Sequence, residues 1–131
     1  MPVKHIAVSI ERPFDEVYAF LANPGNFERW ASGLGKGLTH IEGQSWRVDS
    51  PEGPVTVRFS APNPYGIVDH EVTTPAGMRI LNPLRVIANG SGSEVVFTLF
   101  QRPGISDEAF DADARWVTRD LQSLKRLLEQ R

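Results

Sequence analysis

The chain has 131 residues, 40% of them hydrophobic, and its 14 Lys and Arg against 16 Asp and Glu give a formal net charge of -2. This length fits a single domain over residues 1–131 with one hydrophobic core. The slightly acidic balance, without a block of basic residues, argues against nucleic acid as a partner. Because the chain has no cysteine, disulfides, thiolate metal sites and cysteine nucleophiles are excluded.

No part of the sequence has the composition of a membrane or export segment. The first ten residues lack the apolar run and the cleavage site of a signal peptide. No window approaches the roughly 20 apolar residues of a transmembrane helix. We therefore expect a cytoplasmic protein without a membrane span.

The chain begins with a strand pattern that is followed by two short helices. Apolar and polar residues alternate over residues 1–10, which is typical of a half-buried strand. Pro13 suits the first turn of a helix, and the Asn-Pro-Gly sequence at residues 23–25 predicts where that helix ends. A second short helix is predicted over residues 26–31.

The middle of the chain predicts five or so antiparallel strands. Alternating polarity marks residues 46–49, 55–60, 67–73, 78–88 and 94–101. Clusters of Pro, Gly, Asn and Ser separate most of these runs and predict turns. Pro83 lies inside the fourth run and cannot donate to a ladder, so we expect an edge position or a bulge near Asn82.

The last third predicts one long amphipathic helix from Ser106 to about Gln130. Ser106 is a typical N-cap, and acidic residues follow it in the first turn. The apolar residues recur in steps of four and three and so form one stripe: Phe110, Ala114, Val117, Leu121, Leu124 and Leu128.

This order of elements, together with particular segments, carries a resemblance to a known superfamily. The segments are residues 8–13 with Val17 and Phe20, residues 23–30, and residues 93–101 leading into the terminal helix. On these positions the chain resembles the START-like superfamily SRPBCC, and within it small bacterial proteins described as polyketide cyclase or dehydrase.

The resemblance implies the helix-grip fold, of the α+β class. In that fold about seven antiparallel strands curve around a long C-terminal helix, and two short helices follow the first strand. The resemblance also implies a cavity between sheet and helix for lipids, sterols, polyketides or other apolar molecules. Some members of the superfamily are enzymes and many only bind, so the choice depends on the residues that face the cavity.

His70 is the best candidate for a polar function inside the fold. Alternation places it on the same face as Val68 and Val72, which is the apolar and therefore inward face. Its ring nitrogens could orient a ligand carbonyl or hydroxyl, and its ordinary pKa of about 6.5 would also permit proton transfer. We favour the anchoring role, with catalysis as the weaker hypothesis; a purely structural His bonded to a neighbour or to water remains open.

The other candidate ligand-binding residues are mostly large side chains on the predicted inner faces. The full predicted set is Trp30, Trp46, Phe59, His70, Asn82, Phe97, Phe110, Val117 and Leu121. The alternative is that these side chains fill a solid core, as aromatic residues at such spacings often do. His5, His40 and His70 stand apart without metal-ligand spacing, so we predict neither a metal nor a cofactor.

The first functional hypothesis is that the protein binds a small hydrophobic or amphipathic molecule in an internal cavity, as a carrier or sensor. A polyketide cyclase- or dehydrase-like enzyme, in which His70 moves a proton, is the second. A protein-interaction domain with a filled core is the third. A homodimer remains open.

Overall fold

The computed structural model describes residues 1–32 and 36–130, in which one strand leads into a short helical region. The strand is β1 (Val3–Ile10), and it is followed by α1 (Phe14–Ala22), one 3-10 turn (Pro24–Asn26) and α2 (Phe27–Trp30). Pro13 precedes α1 with a φ of -66°, close to the value that its ring imposes. Asn23 caps the 3-10 turn by accepting from the Gly25 N–H.

Seven further strands and one long helix complete the described chain. The strands are β2 (Lys36–Glu42), β3 (Ser45–Ser50), β4 (Gly53–Phe59), β5 (His70–Thr73), β6 (Arg79–Asn82), β7 (Leu84–Asn89) and β8 (Gly92–Phe100). The helix is α3 (Asp107–Glu129). The described residues therefore contain eight strands, where the resemblance implied about seven.

The eight strands form two antiparallel ladders, and Pro83 separates them. The first ladder has the order β2-β3-β4-β5-β6 and the second the order β1-β8-β7. β6 and β7 belong to one extended run that is interrupted at Pro83, because proline has no N–H to donate. The Pro83 carbonyl still accepts from the Thr98 N–H at 3.0 Å, and the Val68 N–H donates to the Leu84 carbonyl at 2.9 Å. These bonds join the two ladders into one curved surface.

α3 lies across this surface, packed against β1 and β8, as the helix-grip fold requires. The Ser106 hydroxyl accepts from the Ala109 N–H at 3.1 Å and caps the start of the helix. At the other end, the Arg12 guanidinium donates to the carbonyls of Leu128 and Glu129 at 3.0 and 3.1 Å. The predicted bounds of this helix are confirmed.

The main hydrophobic core lies beneath the second half of α3. Leu121, Leu124 and Leu128 are at most 1% exposed, and they pack with residues of α1, β1, β7 and β8. A smaller cluster of four valines covers the inner face of the other ladder. Among the helices in the described part of the chain, none combines the length and the apolar composition needed to cross a lipid bilayer.

Candidate functional site

A cavity of about 730 Å³ lies between α2, the inner face of β5 and β6, the end of β8 and the first half of α3. Apolar side chains make up most of its wall: Phe27, Trp30, Val72, Ile80, Phe97, Leu99 and Val117. Exposed apolar residues form a rim around its opening: Met1, Leu81, Phe100 and Trp116. The fold thus leaves a large, mainly apolar space next to its solid core.

His70 is the first residue of β5 and is only 5% exposed. It pairs in register with Asn82 on β6, and the Asn82 amide nitrogen lies 3.3 Å from His70 Nε2. Aromatic rings surround the imidazole, with centroid distances of 5.2 Å to Phe27, 6.2 Å to Phe97 and 6.3 Å to Phe59. The alternation of β5 and β6 therefore holds one polar pair within an apolar wall.

The His70 imidazole is uncharged at neutral pH. Burial lowers its pKa to about 4, and the nearby Asp69 charge offsets only part of this effect. The Asn82 amide nitrogen is a donor, so His70 Nε2 accepts from it and His70 Nδ1 carries the proton. Within residues 1–32 and 36–130, no protein group is hydrogen-bonded to Nδ1. The Nδ1–H is therefore available as a donor to a molecule in the cavity.

Asp120 is a second buried polar residue on the cavity wall, and the sequence analysis did not select it. It lies on α3, is 8% exposed, and accepts from the Ser32 hydroxyl at 2.7 Å and from the Ser32 N–H at 3.3 Å. Burial raises the pKa of its carboxyl; the bonds from Ser32 and the Arg119 charge oppose this shift. Helical spacing carried a signal for it, because Asp120 lies three residues after Val117 and four before Leu124, on the apolar stripe.

Three further charged residues line the cavity and differ in exposure. Arg79 on β6 and Asp113 on α3 are exposed, whereas Arg102 in the β8–α3 loop is half-buried. The Arg102 guanidinium lies 3.1 Å from the Met78 sulfur, which is a weak acceptor. Among the residues that the structure describes, no group of three or more His, Asp or Glu side chains is arranged to hold a metal ion.

The structure brings five of the nine predicted ligand-binding residues to the cavity wall: Trp30, His70, Asn82, Phe97 and Val117. The sequence places both His70 and Asn82 on inner faces. In the structure the two residues are direct partners in the β5–β6 ladder, although a proline follows Asn82.

The other four predicted residues are not among those that line this cavity. Phe59 packs edge-on against Phe27 at 5.3 Å, so Phe27 rather than Phe59 reaches the cavity. Trp46 lies on β3 against His40, with β4 between it and the cavity strand β5. Phe110 lies under the Lys4 ammonium at 5.0 Å, and Leu121 is enclosed in the main core.

The fold recurs in solved structures that share little sequence with this chain. XoxI from Bacillus cereus gives a TM-score of 0.75 at 15% identity, over 98% of this chain and 96% of that chain. The Aha1 dimer from Colwellia psychrerythraea gives 0.73 at 16% identity, over 98% and 97%. DynU16, a protein in the dynemicin biosynthetic locus, gives 0.73 at 18% identity over 97% of this chain, which spans 47% of the DynU16 chain.

At these identities the structural likeness shows the fold alone, which is the SRPBCC-type helix grip. No curated protein matches the chain. The family model described as "Polyketide cyclase / dehydrase and lipid transport" matches residues 5–130. The chain therefore belongs to this family.

Proposed function

We propose that the protein binds a small hydrophobic or amphipathic molecule in the cavity between its sheet and α3, as a carrier or sensor. The observation that supports this most directly is the cavity of about 730 Å³ with its largely apolar wall. Small-molecule sites in proteins typically occupy about 300–1,000 Å³ and combine apolar walls with a few oriented polar groups. His70 and Asn82 are such a polar pair on this wall.

The apolar wall is extensive enough to support useful affinity without covalent chemistry. Burying about 300 Å² of ligand apolar surface contributes on the order of 7 kcal/mol at ~25 cal/mol/Å², before the cost of association. An oriented hydrogen bond from His70 would add specificity. Micromolar binding corresponds to about 8 kcal/mol of net binding free energy, so a guest that binds this tightly must bury more than this area of apolar surface.

His70 suits an anchoring role better than a role as a proton acceptor. With a pKa of about 4, the imidazole is a weak base at neutral pH, whereas general-base catalysis is most efficient when the pKa lies near the working pH. A neutral Nδ1–H can donate to a carbonyl or hydroxyl oxygen at any pH above that value. The ligand we propose therefore places an oxygen against His70.

A polyketide cyclase- or dehydrase-like enzyme is the second candidate function. The family description and the position of an imidazole on the cavity wall favour it. In that case the cavity would act mainly by folding a reactive chain into a productive shape. The third hypothesis, a protein-interaction domain, required a filled core, and the open volume beside α3 weighs against it.

The test of binding is a pair of tryptophan substitutions on α3. Val117→Trp places a large side chain in the cavity, whereas Thr118→Trp places the same side chain on the neighbouring exposed position. We expect Val117→Trp to weaken binding of an apolar fluorescent dye at least about tenfold, while Thr118→Trp binds like the unaltered protein. Native mass spectrometry of protein purified from its own host should show a retained small molecule that Val117→Trp loses.

Equal dye binding by both tryptophan variants would contradict the proposal, because it would place the dye outside the cavity. Failure of the unaltered protein to bind the dye or to retain any molecule would also contradict it. For the enzymatic alternative, full turnover of a candidate substrate by a His70→Ala variant would remove the imidazole from the mechanism.

A further inference from the structure

Asp120 is a buried carboxyl that faces the cavity and, among the described residues, forms no salt bridge. Within the described part of the chain, no Lys, Arg or His nitrogen lies within 4.0 Å of its oxygens. A buried carboxyl group is costly to desolvate, and a leucine at this position would simply extend the apolar stripe of α3. Ser32, which reaches Asp120 from the end of α2, satisfies part of this group.

The hydrogen-bonding capacity of Asp120 exceeds what the described residues supply. A carboxylate accepts at about four lone-pair positions. Ser32 fills one position on each oxygen, through its hydroxyl to Oδ1 and its N–H to Oδ2. Buried polar atoms nearly always find a partner, and Asp120 lines the cavity. The remaining positions are therefore open to a donor that the guest molecule brings.

The chemical complement of His70 lies on the opposite wall. His70 and Asn82 belong to the sheet and offer an N–H donor through His70 Nδ1, whereas Asp120 belongs to α3 and offers an acceptor. A guest that satisfies both walls needs one oxygen that accepts and one group that donates.

A neutral hydroxyl fits this second position better than an ammonium group does. Arg79 and Arg102 line the same cavity and offset the attraction that Asp113 and Asp120 exert on a cation. An ammonium group would also lose its hydration on entering a mainly apolar space. A hydroxyl pays a smaller desolvation cost and still forms a charge-assisted bond to the carboxylate.

We infer that Asp120, held by Ser32, is a second ligand anchor that selects guests carrying a hydroxyl donor in addition to the oxygen bound by His70. This inference rests on the proposed function, since it assumes that the cavity is the binding site. It narrows the ligand class from apolar molecules in general to oxygenated ones with a hydroxyl or enol group. Simple hydrocarbon chains and fully etherified molecules fall outside that class.

The test compares three probes that share one ring system: naphthol, its methyl ether, and naphthylmethylamine, which is a cation at neutral pH. Dissociation constants are measured by calorimetry or ring fluorescence. We expect naphthol to bind about tenfold more tightly than the ether, as expected for one hydrogen bond to a charged acceptor. Asp120→Asn should reduce this preference to about twofold or less and leave the affinity for the ether unchanged.

Two other variants complete the design. Asp111→Asn removes an exposed carboxyl on the same helix that pairs with Lys4 outside the cavity, and it should keep the full preference for naphthol. Ser32→Ala removes one donor but leaves the carboxyl, so the preference should persist or increase. If Asp120→Asn does not fold, the probe series on the unaltered protein still tests whether the cavity prefers a hydroxyl donor.

Three results would overturn the inference. One is equal binding of naphthol and its ether by the unaltered protein, which would leave cavity binding intact but remove the selection. The second is a naphthol preference that survives Asp120→Asn, or tightest binding of the amine. The third is a double negative result: none of the three probes binds, and native mass spectrometry shows no retained molecule. This result would refute the proposed function as well.

Discussion

The two halves of α3 carry the same apolar stripe but meet different surroundings. From Leu121 onward the stripe is sealed against α1, β1 and β8, and its leucines are at most 1% exposed. Between Ala112 and Asp120 the helix borders the cavity, and Val117 is only half-buried. An amphipathic pattern thus specifies which face of a helix points inward, while the sheet opposite decides whether that face meets a solid core or an open space.

The largest expected effect comes from truncating one side chain in each half. Leu124→Ala should lower the free energy of unfolding by about 3 kcal/mol, because it leaves a void in a fully packed core. Val117→Ala should lower it by less than about 1 kcal/mol, because this side chain already borders empty volume. Urea unfolding followed by circular dichroism measures both. Equal losses would mean that the two halves are packed alike.

The stability of the protein should depend on pH through His70 on the cavity wall, whereas the leucines of the core do not titrate. The pKa of His70 is about 4 in the folded protein and about 6.5 when unfolded, so between these values the unfolded state binds the extra proton. Stability should therefore fall as the pH decreases from about 6.5 to 4, by at most about 3 kcal/mol. The raised pKa of Asp120 acts in the opposite sense, since its protonation favours the folded state as the pH falls.

The matched variants for this pH dependence are His70→Gln and Leu124→Ala. His70→Gln should remove most of the loss between pH 6.5 and 4, whereas Leu124→Ala should give a curve parallel to that of the unaltered protein. Unfolding free energies from urea titrations at half-unit pH steps measure both. An unchanged slope in His70→Gln would show that His70 is not the group responsible.

The smallest expected effect concerns the cap at the cavity end of α3. Ser106→Ala removes the acceptor for the Ala109 N–H and should cost about 1 kcal/mol. The matched control is Ser123→Ala, in the packed half of the same helix, where the serine hydroxyl accepts an exposed hydrogen bond from the Arg126 guanidinium. This variant should change stability by less than about 0.5 kcal/mol. Hydrogen exchange should localise the loss to the first turn, and uniform loss along α3 would contradict this.

Local chemistry explains why much of the fold was predictable. The bounds of α3 follow from a serine cap and a regular stripe, and both are properties of neighbouring residues. The interruption near Asn82 follows from the missing N–H of Pro83. That interruption also adds one strand to the predicted pattern, because it divides one predicted strand into β6 and β7.

Contacts between distant segments explain what the sequence did not reveal. No strand was predicted over β2, where Gly37 interrupts the alternation and the strand is defined by its pairing with β3. Asp120 was missed because its burial depends on Ser32, 88 residues away along the chain. Trp46 and Phe59 face inward by alternation, but which inward residue reaches the cavity depends on the neighbours that stand in front of it.

The bonds from Arg12 to the last carbonyls of α3 mean that the two ends of this helix are held differently. The far end is fixed by this guanidinium and by enclosed leucines. The near end is held by the Ser106 cap, the buried Phe110 ring, a bond from the Gln101 amide to Asp107 and the exposed Lys4–Asp111 ion pair, and an exposed ion pair stabilises little. The far end of the helix is therefore held in a closed core, whereas the near end borders the cavity. For a guest of the proposed kind, we therefore expect entry and release to move the near end of α3 more than the far end.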